Sequence, residues 1–227
     1  MNYTKLIISG EPGAGSTSLS LLLSYYLKMK LIYAGMIQRK LAKASGYEEE
    51  GERFVEYTKV LESKYDIEVD KAMRKYILEN DNVIADSKIN GFFDYPSDVF
   101  KVYLLCSREV RNERILAQGR KDGLKLLEER ENANRLSFIK IYGFDMADEA
   151  TIRKHYDLVI DSSKLNIPET LELILNGFGK KFDKSTLVEL DKKYWELKKD
   201  YFRAELSKQG LLADVKDIVK DIMNNVE

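Results

Sequence analysis

The sequence predicts an α/β fold: a doubly wound, five-stranded parallel sheet flanked by helices, followed by a helical C-terminal extension. Three observations predict it. Five short apolar runs are near-continuous rather than alternating, as expected of parallel strands covered on both faces. Helical patterns fill the gaps between them, the order of a doubly wound sheet. A glycine-rich loop stands between the first run and the first helical pattern.

The strands are expected at Leu6–Ser9, Leu31–Tyr33, Val83–Asp86, Val102–Cys106 and Leu158–Asp161. The first helix is expected over Thr17–Lys28, where Leu19, Leu22, Leu23 and Leu27 recur at helical spacing. Similar patterns cover Ile37–Ala44, Asp66–Glu79, Arg108–Gln118, Leu124–Ile141 and Pro168–Leu175, the last opening on a proline, which a helix start accepts. Asn176-Gly177-Phe178-Gly179-Lys180-Lys181 reads as a turn. A long charged helix over Ser185–Gln209 follows, with Trp195, Leu197, Tyr201 and Phe202 as its apolar content; Gly210 ends it, and a second amphipathic helix covers Ala213–Asn225. This divides the chain into a domain over 1–177 and an extension over 178–227. The extension either packs back on the sheet or binds a protein partner, and packing is favoured because surface helices usually serve the local core.

A chain of 227 residues buries a sizeable core without disulfides or structural metal. Its 37 basic side chains balance 38 acidic ones, which argues against a general nucleic-acid coat. The one cysteine, Cys106, lies in an apolar run and has no partner for an internal disulfide, as fits a reducing compartment. The start, Met1-Asn2-Tyr3-Thr4-Lys5, shows no apolar signal region, and no apolar run reaches the roughly 18 residues of a membrane span. A cytoplasmic location is the expectation. His155, the only histidine, makes no triad or zinc site by itself and is read as structural.

The strongest local signal is Ile7-Ile8-Ser9-Gly10-Glu11-Pro12-Gly13-Ala14-Gly15-Ser16-Thr17-Ser18, directly after a strand and before a helix. There, glycines let the chain curl, backbone N–H groups converge, and the helix N-terminus adds partial positive charge, so the loop is an anion site. Thr17 falls at the hydroxyl position that holds Mg²⁺ in a P-loop enzyme, but Ser16 stands where G-x-x-x-x-G-K-[ST] requires lysine.

Further stretches continue in order. Gly15-Ser16-Thr17-Ser18, Tyr33-Ala34-Gly35-Met36-Ile37-Gln38-Arg39, Asn82-Val83-Ile84-Ala85-Asp86-Ser87-Lys88-Ile89-Asn90-Gly91, Arg111-Asn112-Glu113-Arg114-Ile115, Glu129-Arg130-Glu131 with Ile141-Tyr142-Gly143-Phe144-Asp145, and Tyr156-Asp157-Leu158-Val159-Ile160-Asp161-Ser162-Ser163 together resemble the archaeal type of cytidylate kinase, within the nucleoside monophosphate kinases. The resemblance covers about residues 4 to 175. The chain departs from the family pattern at Met36, a frequent aspartate, at Lys88, an arginine, and at Ser137, an arginine in many members.

The resemblance implies a P-loop kinase that moves a phosphoryl group from ATP to CMP or dCMP with Mg²⁺. It implies acceptor-binding helices over about 34–80 and a lid over about 108–145. ATP would meet Gly10, Glu11, Pro12, Gly13, Ala14, Gly15, Ser16, Thr17 and Ser18; the acceptor would meet Ala34, Gly35, Arg39, Lys88 and Gly91. Arg111, Arg114, Arg130, Arg135 and Lys88 would act in catalysis, and Thr17 with Asp86, through water, at the metal. Arginine suits these roles because its planar fork binds phosphate bidentately and stays charged. Six of the eleven arginines fall within 108–135, although charge alone also fits a solvated helical face paired with Glu113, Glu128, Glu129 and Glu131. Kinases for AMP or UMP, and a nucleotide-binding regulator without turnover, are the alternatives.

Overall fold

A computed structural model describes residues 5–49, 53, 56, 57, 60, 62–117, 124–182 and 199–226. Its sheet has five parallel strands, β1 (Lys5–Gly10), β2 (Lys30–Tyr33), β3 (Val83–Asp86), β4 (Val99–Leu105) and β5 (Leu158–Asp161), in the order β2-β3-β1-β4-β5. The central strand β1 is buried along its whole length. Its neighbours β3 and β4 flank it on opposite sides, so a crevice opens at its carboxyl end, where open α/β sheets bind ligands.

Helices α1 (Ser16–Leu27), α2 (Ala34–Ala44) and α3 (Glu62–Glu79) precede β3, and α4 (Arg108–Ala117), α5 (Leu124–Tyr142) and α6 (Glu149–His155) lie between β4 and β5. They are followed by α7 (Ile167–Phe182), α8 (Lys199–Lys208) and α9 (Lys216–Val226). Alternate residues of β1 enter different cores. Leu6 and Ile8 join the cluster built with α1, α7 and α8, whereas Ile7 joins the one built with α2, α3 and α9. The period-2 side-chain alternation of a strand thus explains why the apolar run is unbroken: both faces are covered.

The extension packs on the sheet. Phe202 and Leu206 of α8 are buried against α1, and Val219 and Ile222 of α9 are buried on the opposite face. Between them the chain runs beside β2: Leu31 N–H donates to Leu211 O at 2.7 Å, and Ala213 N–H donates to Leu31 O at 2.9 Å. This pairing covers backbone groups that an edge strand otherwise leaves open. The stretch 183–198, which holds Trp195 and Leu197, lies outside the described residues.

Two expectations need correction. Asn176–Lys181 is not a turn; α7 runs through it, and the boundary drawn at 177 falls inside that helix. A Cβ on Gly177 would come within 2.9 Å of Phe100 and 3.1 Å of Leu158, and Phe178 is buried beside Phe100. Close packing on β4 and β5 therefore outweighs glycine's poor helix propensity, a deficit of about 1 kcal/mol. Helix α6 has no counterpart among the expected helices, although Asp148 caps it by accepting from Thr151 N–H at 2.8 Å, a recognisable start signal. His155 stacks on Phe144 at its end.

Candidate active site

The loop between β1 and α1 turns on two glycines and packs closely against Arg111. Gly13 (φ 89°) and Gly15 (φ 104°) adopt left-handed conformations, and a Cβ on Gly13 would lie 2.8 Å from Arg111 O. Only glycine takes both the dihedral and the closeness without strain. Gly15 caps α1 with no side-chain bond, and the first turn carries no acidic residue. The positive end of the helix dipole thus faces the loop with no acidic residue in its own first turn.

A cavity of about 800 Å³ opens there. All nine loop residues from Gly10 to Ser18 line it, as do Ala34, Gly35, Arg39, Lys88, Arg114 and Asp86. Thr17 Oγ1 donates to Asp86 Oδ2 at 2.7 Å, joining the start of α1 to the end of β3. Burial pushes the Asp86 carboxyl up, while that hydroxyl and the charges of Lys199 and Lys88 pull it down. Arg39 closes on its own helix, donating to Gly35 O at 2.9 Å.

A smaller cavity of about 190 Å³ adjoins the loop at Glu11 and Pro12 and is lined also by Lys88, Arg111, Glu131 and Arg135. Arg111 is buried and joins the loop to α5. It donates to Pro12 O at 3.2 Å and to Glu131 at 2.9 Å, and lies 3.4 Å from Glu11 Oε2. Burial raises the Glu11 carboxyl, with Arg111 opposing and Glu131 adding to the rise. Arg135 forks onto Asp145. Arg114 donates to Ser162 O at 2.7 Å, to Leu165 O at 3.3 Å and to Ala14 O at 3.4 Å, tying the loop to the end of β5.

The structure therefore brings together all the loop residues, Thr17 with Asp86, and Ala34, Gly35, Arg39, Lys88 and Arg114. Arg111 and Arg135 stand one step away, in the adjoining cavity. Gly91 does not line either one; it is buried where a Cβ would strike the Tyr156 ring at 2.2 Å, so it serves packing beneath the site. The side chain of Arg130 lies outside the described residues. Lys199, Asp66, Asp70 and Ser162 also line the large cavity. Ser162 falls in the stretch Tyr156–Ser163 that carries the resemblance, but nothing in the local sequence of Lys199, Asp66 and Asp70 marks them: each arrives on a helix whose docking depends on non-local packing.

A glycine-rich loop that leads from the central strand of an all-parallel sheet into a helix N-terminus is the arrangement found in P-loop kinases. The sequence family described as an AAA domain matches residues 6–136. The chain is 32% identical over 182 residues to a cytidylate kinase of Sulfolobus acidocaldarius, covering 78% of this chain and 95% of that one. A cytidylate kinase of Saccharolobus islandicus is 32% identical over 175 residues, 75% of this chain and 88% of its own. Among solved structures, a gluconokinase from Sinorhizobium meliloti shares the fold at 12% identity and a TM-score of 0.51, covering 78% of this chain and 92% of that one. The chain belongs to the cytidylate kinase family, and it is a nucleoside monophosphate kinase. No helix among the described residues is long and apolar enough to cross a membrane.

Proposed function

We propose that the chain phosphorylates CMP, and dCMP, from ATP with Mg²⁺, giving ADP and the cytidine diphosphate. The observation that carries this is the cavity that joins the phosphate loop to Arg39 and Lys88. It is large enough to align two anionic substrates head to head, which is most of what phosphoryl transfer needs. An oxygen of the CMP phosphate attacks the γ-phosphorus, and the bond from that phosphorus to the β–γ bridging oxygen breaks. ADP leaves with the electron pair. The attacking oxygen is already anionic, so no general base is called for. Loop N–H groups hold the donor phosphates, while Arg39 and Lys88 hold the acceptor phosphate as cations.

Thr17 and Asp86 fit Mg²⁺, which takes one or two protein oxygens and shares the rest of its shell with substrate phosphates and water. Among the described residues no group of three or more His, Cys, Asp or Glu is arranged to hold a metal unaided. Bound there, the ion would offset phosphate charge.

At the acceptor end the lining includes Gln38, Asp66 and Asp70, with Gln38 Nε2 donating to Asp66 at 3.1 Å. Carboxyl oxygens accept from an exocyclic amine, which cytosine and adenine carry and uracil lacks. That favours CMP over UMP and keeps AMP as the second reading. A coupled assay of ADP release with ATP and Mg²⁺, run with CMP, dCMP, UMP, AMP, GMP and no acceptor, tests it. Fastest turnover with CMP supports the proposal; preference for AMP or UMP replaces the acceptor, and silence with every acceptor rejects the reaction.

A further inference from the structure

The phosphate loop lacks the lysine that would follow Gly15, because Ser16 stands there. Such a lysine contacts the β- and γ-phosphates and offsets their charge during transfer. The cavity nevertheless contains a lysine that no loop motif predicts. Lys199, at the start of α8, lines it together with Gly10–Ser18 and Asp86.

The placement is built rather than incidental. Lys199, Phe202 and Leu206 are spaced i, i+3 and i+7, so they share one face of α8. Phe202 (3% exposed) and Leu206 (0% exposed) sit in the same core cluster as Leu19, Leu22 and Leu23 of α1. Phe202 also meets the Tyr25 ring edge-on, with centroids 5.8 Å apart. The helix that carries Lys199 is thus clamped to the helix whose first turn closes the phosphate loop. After α8 the chain is pinned again, beside β2 at Leu31. Lys199 is half-buried at the end of this stripe, where an ammonium that gives up part of its water gains from a nearby anion. At the cavity wall that anion is at hand in Asp86, whose carboxyl feels the Lys199 charge. The ammonium is a compact point charge on a flexible stem, suited to following a phosphate.

We propose that Lys199 supplies, from the C-terminal segment, the cation that the phosphate loop lacks at Ser16, and that it contacts the β- and γ-phosphates of the bound nucleoside triphosphate. This rests on the kinase reading for its role in turnover, but its binding half stands without that reading. The extension thereby acquires two roles, since α8 completes the donor site while α9 covers the opposite face of the sheet.

The test uses the full chain with Lys199→Gln, Lys199→Arg and the double variant Ser16→Lys/Lys199→Gln. Three readouts are taken: kcat and KM for ATP in the ADP-release assay, the ATP·Mg²⁺ dissociation constant, and the melting temperature without ligand. Lys199→Gln is expected to lower kcat/KM for ATP by about 10²-fold, the usual loss for one charge-stabilising group. Its ligand-free melting temperature should match the wild type, Lys199→Arg should keep most of the activity, and the double variant should recover at least about tenfold. Wild-type kcat/KM in Lys199→Gln overturns the proposal. So does a loss that tracks a fall in melting temperature, or that a lysine introduced at position 16 fails to relieve. If the wild type turns over no acceptor, the kinase reading fails separately and ATP affinity decides: weaker binding by Lys199→Gln upholds the phosphate contact, and equal binding removes it.

Discussion

The Thr17 hydroxyl donates to Asp86 Oδ2 at 2.7 Å, linking the first turn of α1 to the end of β3 across 69 residues of sequence. β1 and β3 are paired in register, with Ile8 opposite Asp86, so the strand end delivers the carboxylate beside the loop. The pair stands at the end of a strand and the start of a helix, beside the left-handed glycines Gly13 and Gly15.

Removing either member should separate activity from stability. Thr17→Ala and Asp86→Asn are expected to reduce kcat by about 10²-fold, because each removes an oxygen that would meet the metal–phosphate group. Burial holds the Asp86 carboxyl above its ordinary range, so the folded state bears the cost of desolvating its charged form. Asp86→Asn should therefore raise the melting temperature at neutral pH while abolishing most turnover. Parallel thermal melts and ADP-release rates check this; a variant both active and no more stable would contradict it.

Asp70 on α3 gives a pH dependence. Its carboxyl is pushed from 3.8 up to about 8, chiefly by burial, against the bond it accepts from the Tyr142 hydroxyl at 2.9 Å. The folded chain keeps a proton there that the unfolded chain releases near its ordinary value. Stability from this group is therefore full below about pH 4 and declines as pH rises toward about 8. Asp70→Asn should flatten that decline, with its largest benefit above about pH 8. Tyr142→Phe removes a bond that favours the charged form, so the decline should extend to higher pH. Urea titrations from about pH 5 to about pH 9 measure both slopes.

Arg114 holds three carbonyls that belong to two separate segments, at Ala14 and at Ser162 and Leu165. A lysine cannot reproduce the fork. Arg114→Lys is expected to lower stability by about 1–3 kcal/mol through buried acceptors left unpaired. It should also weaken ATP binding, because Ala14 is part of the loop. Denaturant midpoints and ATP titrations read the two effects, and an unchanged midpoint would refute the bracing role.

Gly177 sets two local rules against each other. Alanine is the better helix former by about 1 kcal/mol, yet its Cβ would meet Phe100 at 2.9 Å. Overpacking of that kind costs about 1–3 kcal/mol, so Gly177→Ala should be neutral to destabilising rather than stabilising. A raised denaturation midpoint would show that the Phe100 ring yields freely.

Several features were legible in the chain because their causes are local. Each strand is a run of apolar residues buried on both faces, and its neighbours need not be known for it to be recognised. The phosphate loop is likewise local, since its glycines, the helix start and the preceding strand are contiguous from Ile7 to Ser18. The helical face of α1 announces itself through Leu19, Leu22 and Leu23. What stayed hidden depends on partners distant in sequence. Asn176–Lys181 has the composition of a turn, yet it lies inside a helix that packs closely on Phe100 and Leu158. Gly91 sits in a motif stretch, yet the Tyr156 ring decides its use.

By itself, then, the sequence determined the parallel sheet and the glycine-rich loop, because backbone dihedrals and hydrophobic periodicity act over a few residues, whereas the pairing of β1 with β3 sets Asp86 against Thr17. Tertiary structure alone decided that Arg111 and Arg135 line a separate cavity, that the extension pairs with β2, and that Lys199 lines the same cavity as the loop. The physical reason is that a helix's pattern says which face it buries, while the face it meets is chosen by shape and burial across the whole chain.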